Sequence, residues 1–306
     1  MLTKCIWEKT MNKKISKVIE FASILTMFSL YGCSKSPAKN SSAKAAPAAE
    51  KPKVAVSIVP EATFAKAVCG NLIDVITMIP PGSSPENYEP TAKQMEDFTD
   101  SKIYFAIGVP TEKANIIPQV DTSKTKLVSL NDASAKQYGE LKLGEERDPH
   151  IWLSPKRAEL MVQVIADEVS SLDPANTETY KSNASSFIAQ IASADSSIKE
   201  SLKNVKNRKF VVYHPAFGYF ADDYNLEMYA LEEEGKESTP KELQEKIDFA
   251  KKENIKVIFY QAEIDSNQSE AFAEEVGGRT VKLEPLAADY IGNLQKMADT
   301  LAAVMQ

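Results

Sequence analysis

Residues 174–205 read PANTETYKSNASSFIAQIASADSSIKESLKNV. They follow Asp173, and an Asp-Pro pair favours a helix start, with aspartate as N-cap and proline as first helical residue. Neither glycine nor a further proline interrupts the stretch. Tyr180, Ala184, Phe187, Ile191, Ala194, Ile198, Leu202 and Val205 recur every three or four residues, a spacing that gathers apolar side chains on one helix face. At a rise of about 1.5 Å per residue the helix would be on the order of 45 Å long. One small domain has no need of such length, but a spine spanning two lobes does.

On both sides of this spine, short apolar runs alternate with helical segments. Before it, strands are expected at residues 54–59, 75–79, 102–107 and 126–130, with helices from Glu61 to Gly70, from Thr91, and from Pro155 to about Ser171. After it, strands are expected at 210–213, 227–231, 257–260 and 280–283, with helices at 240–253, 269–276 and 290–304. Strands alternating with helices imply parallel βαβ units. The expected fold is therefore α/β, with two similar lobes, each a parallel-stranded sheet flanked by helices, joined by the long spine helix. The boundaries are residues 54–173 for the N-terminal lobe, 174–206 for the spine and 207–306 for the C-terminal lobe.

Residues 1–32 read as a signal peptide: Lys13, Lys14 and Lys17 form a basic region, and residues 18–30 are mostly apolar, interrupted by Glu20. The run is too short to cross a bilayer, which takes about 20 apolar residues. It ends Leu30-Tyr31-Gly32-Cys33, close to the pattern at which bacterial signals are cut before a lipidated cysteine, with Tyr31 bulkier than usual. Met11 offers a second start, with residues 1–10 as an upstream extension. Cys33 is the expected lipidation site, and residues 33–53, rich in Ala, Lys, Ser and Pro, read as a flexible tether. Net charge is −7, which argues against a nucleic-acid partner, since that would need a basic stripe. Of three cysteines, only Cys69 would remain free, so no thiolate cluster is expected and Cys69 reads as buried.

The chain has two histidines. His150 stands in DPHIWLSP near the end of the first lobe, and His214 directly follows the first strand of the second, in VVYHPAFGYF. Ligands of open α/β sheets bind at the carboxyl ends of strands. Glu86, in the loop after the strand at 75–79, and Glu284, directly after the strand at 280–283, occupy such places too. Each lobe would then offer one histidine and one glutamate to a shared cleft. Glu86 also reads as a solvated loop carboxylate, Glu284 as a cap for the following segment, and Gln261 and Glu263 as nearby alternatives. Glu232–Glu234 reads as a solvated acidic loop, and Tyr213 and Phe217 as packing around His214.

The segments SIVPEATFAKAVCGN, PPGSSPENYEPT, DPHIWLSPKRAELM, VVYHPAFGYFADDY and VKLEPLAADY resemble the zinc- and manganese-binding receptor lipoproteins of bacterial ABC metal importers, over nearly all of the chain after the tether. The resemblance implies two α/β lobes joined by a rigid helix, with one divalent ion held between them. It assigns His150 to the family's second ligand, His214 to the third and Glu284 to the fourth. At the first position this chain has Glu86 where the family usually has histidine. In the family a histidine at the third position accompanies zinc and an acid there manganese, so His214 favours zinc, while Glu86 pulls toward the harder ion. Residues 131–147 hold no histidine, in contrast to the His-rich loop of many zinc-binding members. The resemblance further implies an extracytoplasmic, lipid-anchored monomer that delivers its ion to an ABC permease, with a surface adhesin as the competing reading. Neither HExxH nor GxSxG occurs, and a closed four-ligand shell leaves no nucleophile, so an enzyme is not expected.

Overall fold

The computed structural model describes residues 50–232, 236–264 and 267–305. The expected signal, the expected lipidation site Cys33 and nearly all of the expected tether lie outside these residues. The N-terminal lobe runs β1 (Lys53–Val56), α1 (Val59–Cys69), β2 (Asp74–Thr77), α2 (Ala92–Thr99), β3 (Ile103–Ala106), β4 (Lys126–Ser129), α3 (Leu130–Tyr138) and a small hairpin of β5 (Lys142–Leu143) and β6 (Glu146–Arg147). Then follow α4 (Pro155–Leu172) and α5 (Thr177–Leu202). The C-terminal lobe runs β7 (Lys209–Val212), α6 (Gly218–Asp223), β8 (Glu227–Ala230), α7 (Pro240–Lys252), β9 (Val257–Gln261), α8 (Asn267–Glu275), β10 (Arg279–Leu283) and α9 (Tyr290–Val304). Lys53, expected in the tether, belongs to β1 and pairs with Asp100 at 2.8 Å.

Both sheets are wholly parallel, in the orders β2-β1-β3-β4 and β8-β7-β9-β10. The two orders are the same topology, with β7 to β10 standing where β1 to β4 stand in the first lobe. In both central strands alternate residues face opposite layers, as the period of two requires. Val54 and Val56 point into the main core and Ala55 into an outer cluster with Phe98 and Tyr104. Likewise Phe210 and Val212 point inward, and Val211 outward beside Ile247 and Phe272.

The spine is α5, 26 residues or about 39 Å. It starts three residues later than the sequence suggests, because Pro174–Asn176 forms a separate 3-10 turn. The Asp173 carboxylate, expected to cap the helix, instead accepts from Asn176 Nδ2 and Tyr180 Oη, each at 2.7 Å. The outer faces of α5 are rich in Ser, Thr and Asn, weak helix formers. Its stability comes from Tyr180, Ala184, Ile191, Ala194, Ile198 and Leu202, all buried, where a large apolar side chain contributes about 1.5–3 kcal/mol. The core formed with α4, α5 and α9 is continuous from β1 of one sheet to β9 and β10 of the other. Polar contacts join the lobes as well. Trp152 Nε1 donates to Pro285 O at 2.9 Å, Tyr290 Oη to Trp152 O at 2.7 Å, and Thr63 Oγ1 to Ala288 O at 2.9 Å. Among the described residues, no helix is long and apolar enough to cross a membrane. Cys69 is buried as expected, its thiol pushed up to about 12 by burial.

The strand expected to reach residue 59 stops at Val56. Beyond it, the Glu61 carboxylate accepts from Ser57 N at 2.9 Å and Ile58 N at 3.1 Å, starting α1 early. Glu61 belongs to a fully buried polar cluster. Ser57 Oγ donates to the Glu112 carboxylate and accepts from Tyr104 Oη at 2.8 Å, while Glu112 also accepts from Ile107 N at 2.8 Å and Gly108 N at 2.6 Å. Glu112 opens a helical segment, Glu112–Ile116, that together with Thr111 before it holds the loop at 80–91. Thr111 N donates to Pro85 O at 3.0 Å, and Asn115 Nδ2 to Tyr88 O at 2.9 Å.

Burial pushes the Glu112 carboxyl up to about 7. Burial, and then the charge of Glu112, hold Glu61 well above the ordinary carboxylate range. The folded chain therefore keeps protons that the unfolded chain loses near pH 4.3, and stability falls as pH rises from there through about 7. In metal-free protein, urea titrations from about pH 5 to about pH 7 should show wild type losing stability relative to Glu112→Gln, by up to about 1.4 kcal/mol per pH unit. Parallel curves would place the buried proton elsewhere.

Candidate metal centre

His150 and His214 come from opposite lobes, and both are buried, 4% and 6% exposed. His150 follows β6, where Asp148 N donates to Leu141 O at 2.9 Å and anchors the turn to the hairpin. The Asp148 carboxylate then folds back on its own loop. Its Oδ1 accepts from His150 N at 2.9 Å and lies 2.7 Å from His150 Nδ1. His214 lies two residues beyond β7, and its Nδ1 sits 3.0 and 3.2 Å from the two oxygens of Glu232, just past β8. An ionised carboxylate can only accept, so in the neutral rings Nδ1 carries the proton and Nε2 the lone pair. The two Nε2 atoms face each other at 3.2 Å.

Two lone pairs at that distance repel unless a proton or a cation lies between them. Glu86 adds a third donor, with Oε1 3.6 Å from His214 Nε2. One ligand atom from each of Glu86, His150 and His214 can be chosen so that all three lie within 4.8 Å of one another. Donors about 2.0–2.1 Å from a zinc ion and set at the tetrahedral angle stand roughly 3.3–3.4 Å apart. The separations of 3.2 and 3.6 Å straddle that edge length. Glu86 is half-buried, and its loop is held by Thr111 and Asn115 as described above and by Ser84, whose Oγ accepts from Glu86 N at 3.3 Å.

Glu284, the expected fourth ligand, is not in this group. Residues i and i+2 of a strand share a face, and this puts Lys282 beside Glu284 at the end of β10. Its carboxylate lies 2.9 Å from Lys282 Nζ and 3.5 Å from Lys296 Nζ, 40% exposed. The hydrogen bond and charge of Lys282, and then the charge of Lys296, hold it below the ordinary carboxylate range. Glu263, an alternative read from the sequence, also stays outside the group.

Of the run Glu232–Glu234, read from the sequence as a solvated acidic loop, only Glu232 is among the described residues. Glu232 is not solvated but 5% exposed, with its carboxylate against the His214 ring. The carbonyl before it, Leu231 O, accepts from Lys246 Nζ at 2.9 Å and from Ser238 Oγ, which fixes the chain where Glu232 turns inward. Tyr213 and Phe217 are buried as expected, but Tyr213 packs in the outer cluster of its sheet and Phe217 in the main core. It is Glu232 that orients the His214 ring.

Asp148 was missed in the sequence; its signal is its place two residues before a histidine in DPHIW, a spacing that suits side-chain bonding to the backbone. Glu232 had only its place at a strand end as a signal. Removing a carboxylate that orients a metal-binding imidazole typically weakens binding about 10–100-fold. Glu232→Ala should lower zinc affinity by that factor in a chelator competition titration, and Glu284→Ala should change it far less.

Comparisons with known proteins cover nearly all of the described chain. Residues 54–304 match the family model described as zinc-uptake complex component A, periplasmic. The zinc-binding lipoprotein AdcA of Streptococcus pneumoniae (strain ATCC BAA-255 / R6) is 30% identical over 251 residues, 77% of this chain and 50% of that protein. The high-affinity zinc uptake system protein ZnuA of Bacillus subtilis (strain 168) is 27% identical over 252 residues, 78% of this chain and 79% of that protein. The chain thus spans about half the length of the AdcA proteins it matches. A crystal structure of ZnuA superposes with a TM-score of 0.78 at 32% identity, covering 84% of this chain and 100% of that one. The periplasmic zinc-binding protein TroA from Treponema pallidum, at 22% identity and TM-score 0.77, covers 84% of this chain and 99% of its own and shares the fold. With the match running from β1 to the end of α9, this chain belongs to the family of the zinc-uptake complex component A.

Proposed function

We propose that the chain captures one divalent transition-metal ion outside the cytoplasm, zinc in preference to manganese, and delivers it to an ABC permease as a monomer tethered to the membrane through Cys33. The observation that carries this reading is the pair of Nε2 atoms 3.2 Å apart, each on a ring whose Nδ1 is held by a buried carboxylate. Glu86, His150 and His214 are the ligands, two imidazoles and one carboxylate, a donor set that suits zinc. With Glu284 turned toward its lysines, the balance moves further from the oxygen-rich shell that manganese favours.

Binding requires unprotonated imidazoles and an ionised Glu86, so protons leave as the ion enters and affinity falls as pH drops. The metal is cargo here: the lobes take the ion up between them and give it up again, and a spine packed into both restricts their relative rotation. Release then depends on the permease disturbing one lobe. The zinc-binding and zinc-uptake names of the relatives support this reading.

Protein purified without added metal should contain close to one equivalent of zinc by elemental analysis, and competition titrations should rank zinc above manganese. His214→Ala should abolish tight binding of both ions; unchanged affinities in that variant would remove the site. For the anchor, Cys33→Ala should shift the full-length protein from the membrane fraction to the soluble one. Retention in the membrane would assign the attachment to another segment.

A further inference from the structure

Asp148, which aims the His150 ring, is itself seated against the opposite lobe. Gly218, the first residue of α6 and four residues beyond His214, lies directly over it. A Cβ built on Gly218 would stand 2.7 Å from Asp148 Oδ2, with Leu141 Cδ1 and Met228 Cε next at 3.7 and 3.9 Å. The backbone of Gly218 does not have the positive φ that calls for glycine, and glycine is a poor helix former. Space is therefore what requires it. The obstructing atom is the end of a short side chain, 1% exposed, whose other oxygen already serves both His150 N and His150 Nδ1.

The neighbouring residue reinforces the seat. Tyr219 Oη accepts from Leu141 N at 2.9 Å and donates to Asp148 O at 3.3 Å, while the Arg157 guanidinium stacks 4.4 Å over the Tyr219 ring. The start of α6 thus touches the His150 loop at its carboxylate, at its backbone and at the hairpin that supports it.

We propose that Gly218 is a positioning residue for the His150 ligand: the missing side chain lets Asp148 hold the imidazole in its Nδ1–H form, so that the ion affinity of an N-terminal-lobe ligand depends on how the C-terminal lobe is seated. Withdrawing α6 from Asp148 then loosens His150 without touching the ion. This rests on the metal-capture reading above and adds a lever through which release can be driven from the second lobe.

The test uses Gly218→Ala, Asp148→Ala and the double variant, in the full chain. Zinc affinity is read by chelator competition, and the imidazole nitrogens are read by long-range 15N NMR of the metal-free protein, in which two histidines give two assignable rings. Gly218→Ala should weaken zinc binding about 10-fold or more and move the His150 nitrogens toward mixed tautomers, leaving those of His214 in place. With Asp148 already removed, adding Gly218→Ala should change affinity by less than about twofold, since the two positions act through one contact. Unchanged affinity and unchanged His150 nitrogens in Gly218→Ala overturn the proposal. So does a full Gly218→Ala effect that persists in the Asp148→Ala background. A Gly218→Ala chain that fails to fold but is restored by Asp148→Ala supports the contact, and one unfolded in both backgrounds overturns it. Wild-type protein that binds no zinc would end the capture reading, while the nitrogen spectra would still decide the role of Gly218.

Discussion

Two imidazole lone pairs pointed at one another across 3.2 Å are the constraint on which this molecule turns. Left to themselves the rings would rotate apart or share a proton. Asp148 and Glu232 prevent the first by holding the far nitrogen of each ring, and because both are themselves buried the hold is not weakened by water. The result is a point of concentrated electron density with a half-open third side at Glu86, a place that a small divalent cation relieves.

Such a point survives only if the lobes are pressed together firmly enough to resist the repulsion. That is the work of α5 and the core around it. A helix buried along one stripe over its whole length cannot bend between lobes without uncovering Ile191 or Ile198, and the core it helps to form reaches both sheets without a break. Trp152 and Tyr290 add a pair of hydrogen bonds across the lobe boundary, directly behind the His150 turn. The rigid parts are thus those that set the Nε2 separation.

Both sheets share one strand order, so the lobes have equivalent places. The loops after the second strands carry Glu86 in one lobe and Glu232 in the other; the first stands 3.6 Å from His214 Nε2 and the second holds Nδ1 of the same ring. The segment beyond the first strand carries His214 in the C-terminal lobe. In the N-terminal lobe the same crevice is filled by the buried cluster of Ser57, Glu61, Tyr104 and Glu112, which starts α1 and holds the Glu86 loop through the segment that Glu112 opens. Beyond the first strand, one topology thus carries a histidine of the candidate site in the C-terminal lobe and a supporting polar cluster in the N-terminal lobe.

The α/β alternation, the spine with its apolar stripe and the two histidines were all legible along the chain, because periodicity and position relative to a strand end are local properties. Helix α3, helix α6 and the β5–β6 hairpin were not, the last two being too short to show a period. The division of labour among the acidic residues was also hidden. Glu86, Glu232 and Glu284 each follow a strand and look alike in sequence, yet one faces the histidines, one is buried beneath a ring and one lies with two lysines at the surface. What a carboxylate does depends on which cation, ring or solvent lies within a few ångströms of it, and those neighbours come from distant parts of the chain. Sequence by itself determined the longer elements, their order and the two histidines; only the tertiary packing decided which carboxylates come to lie beside them, since that choice is made by long-range proximity and burial.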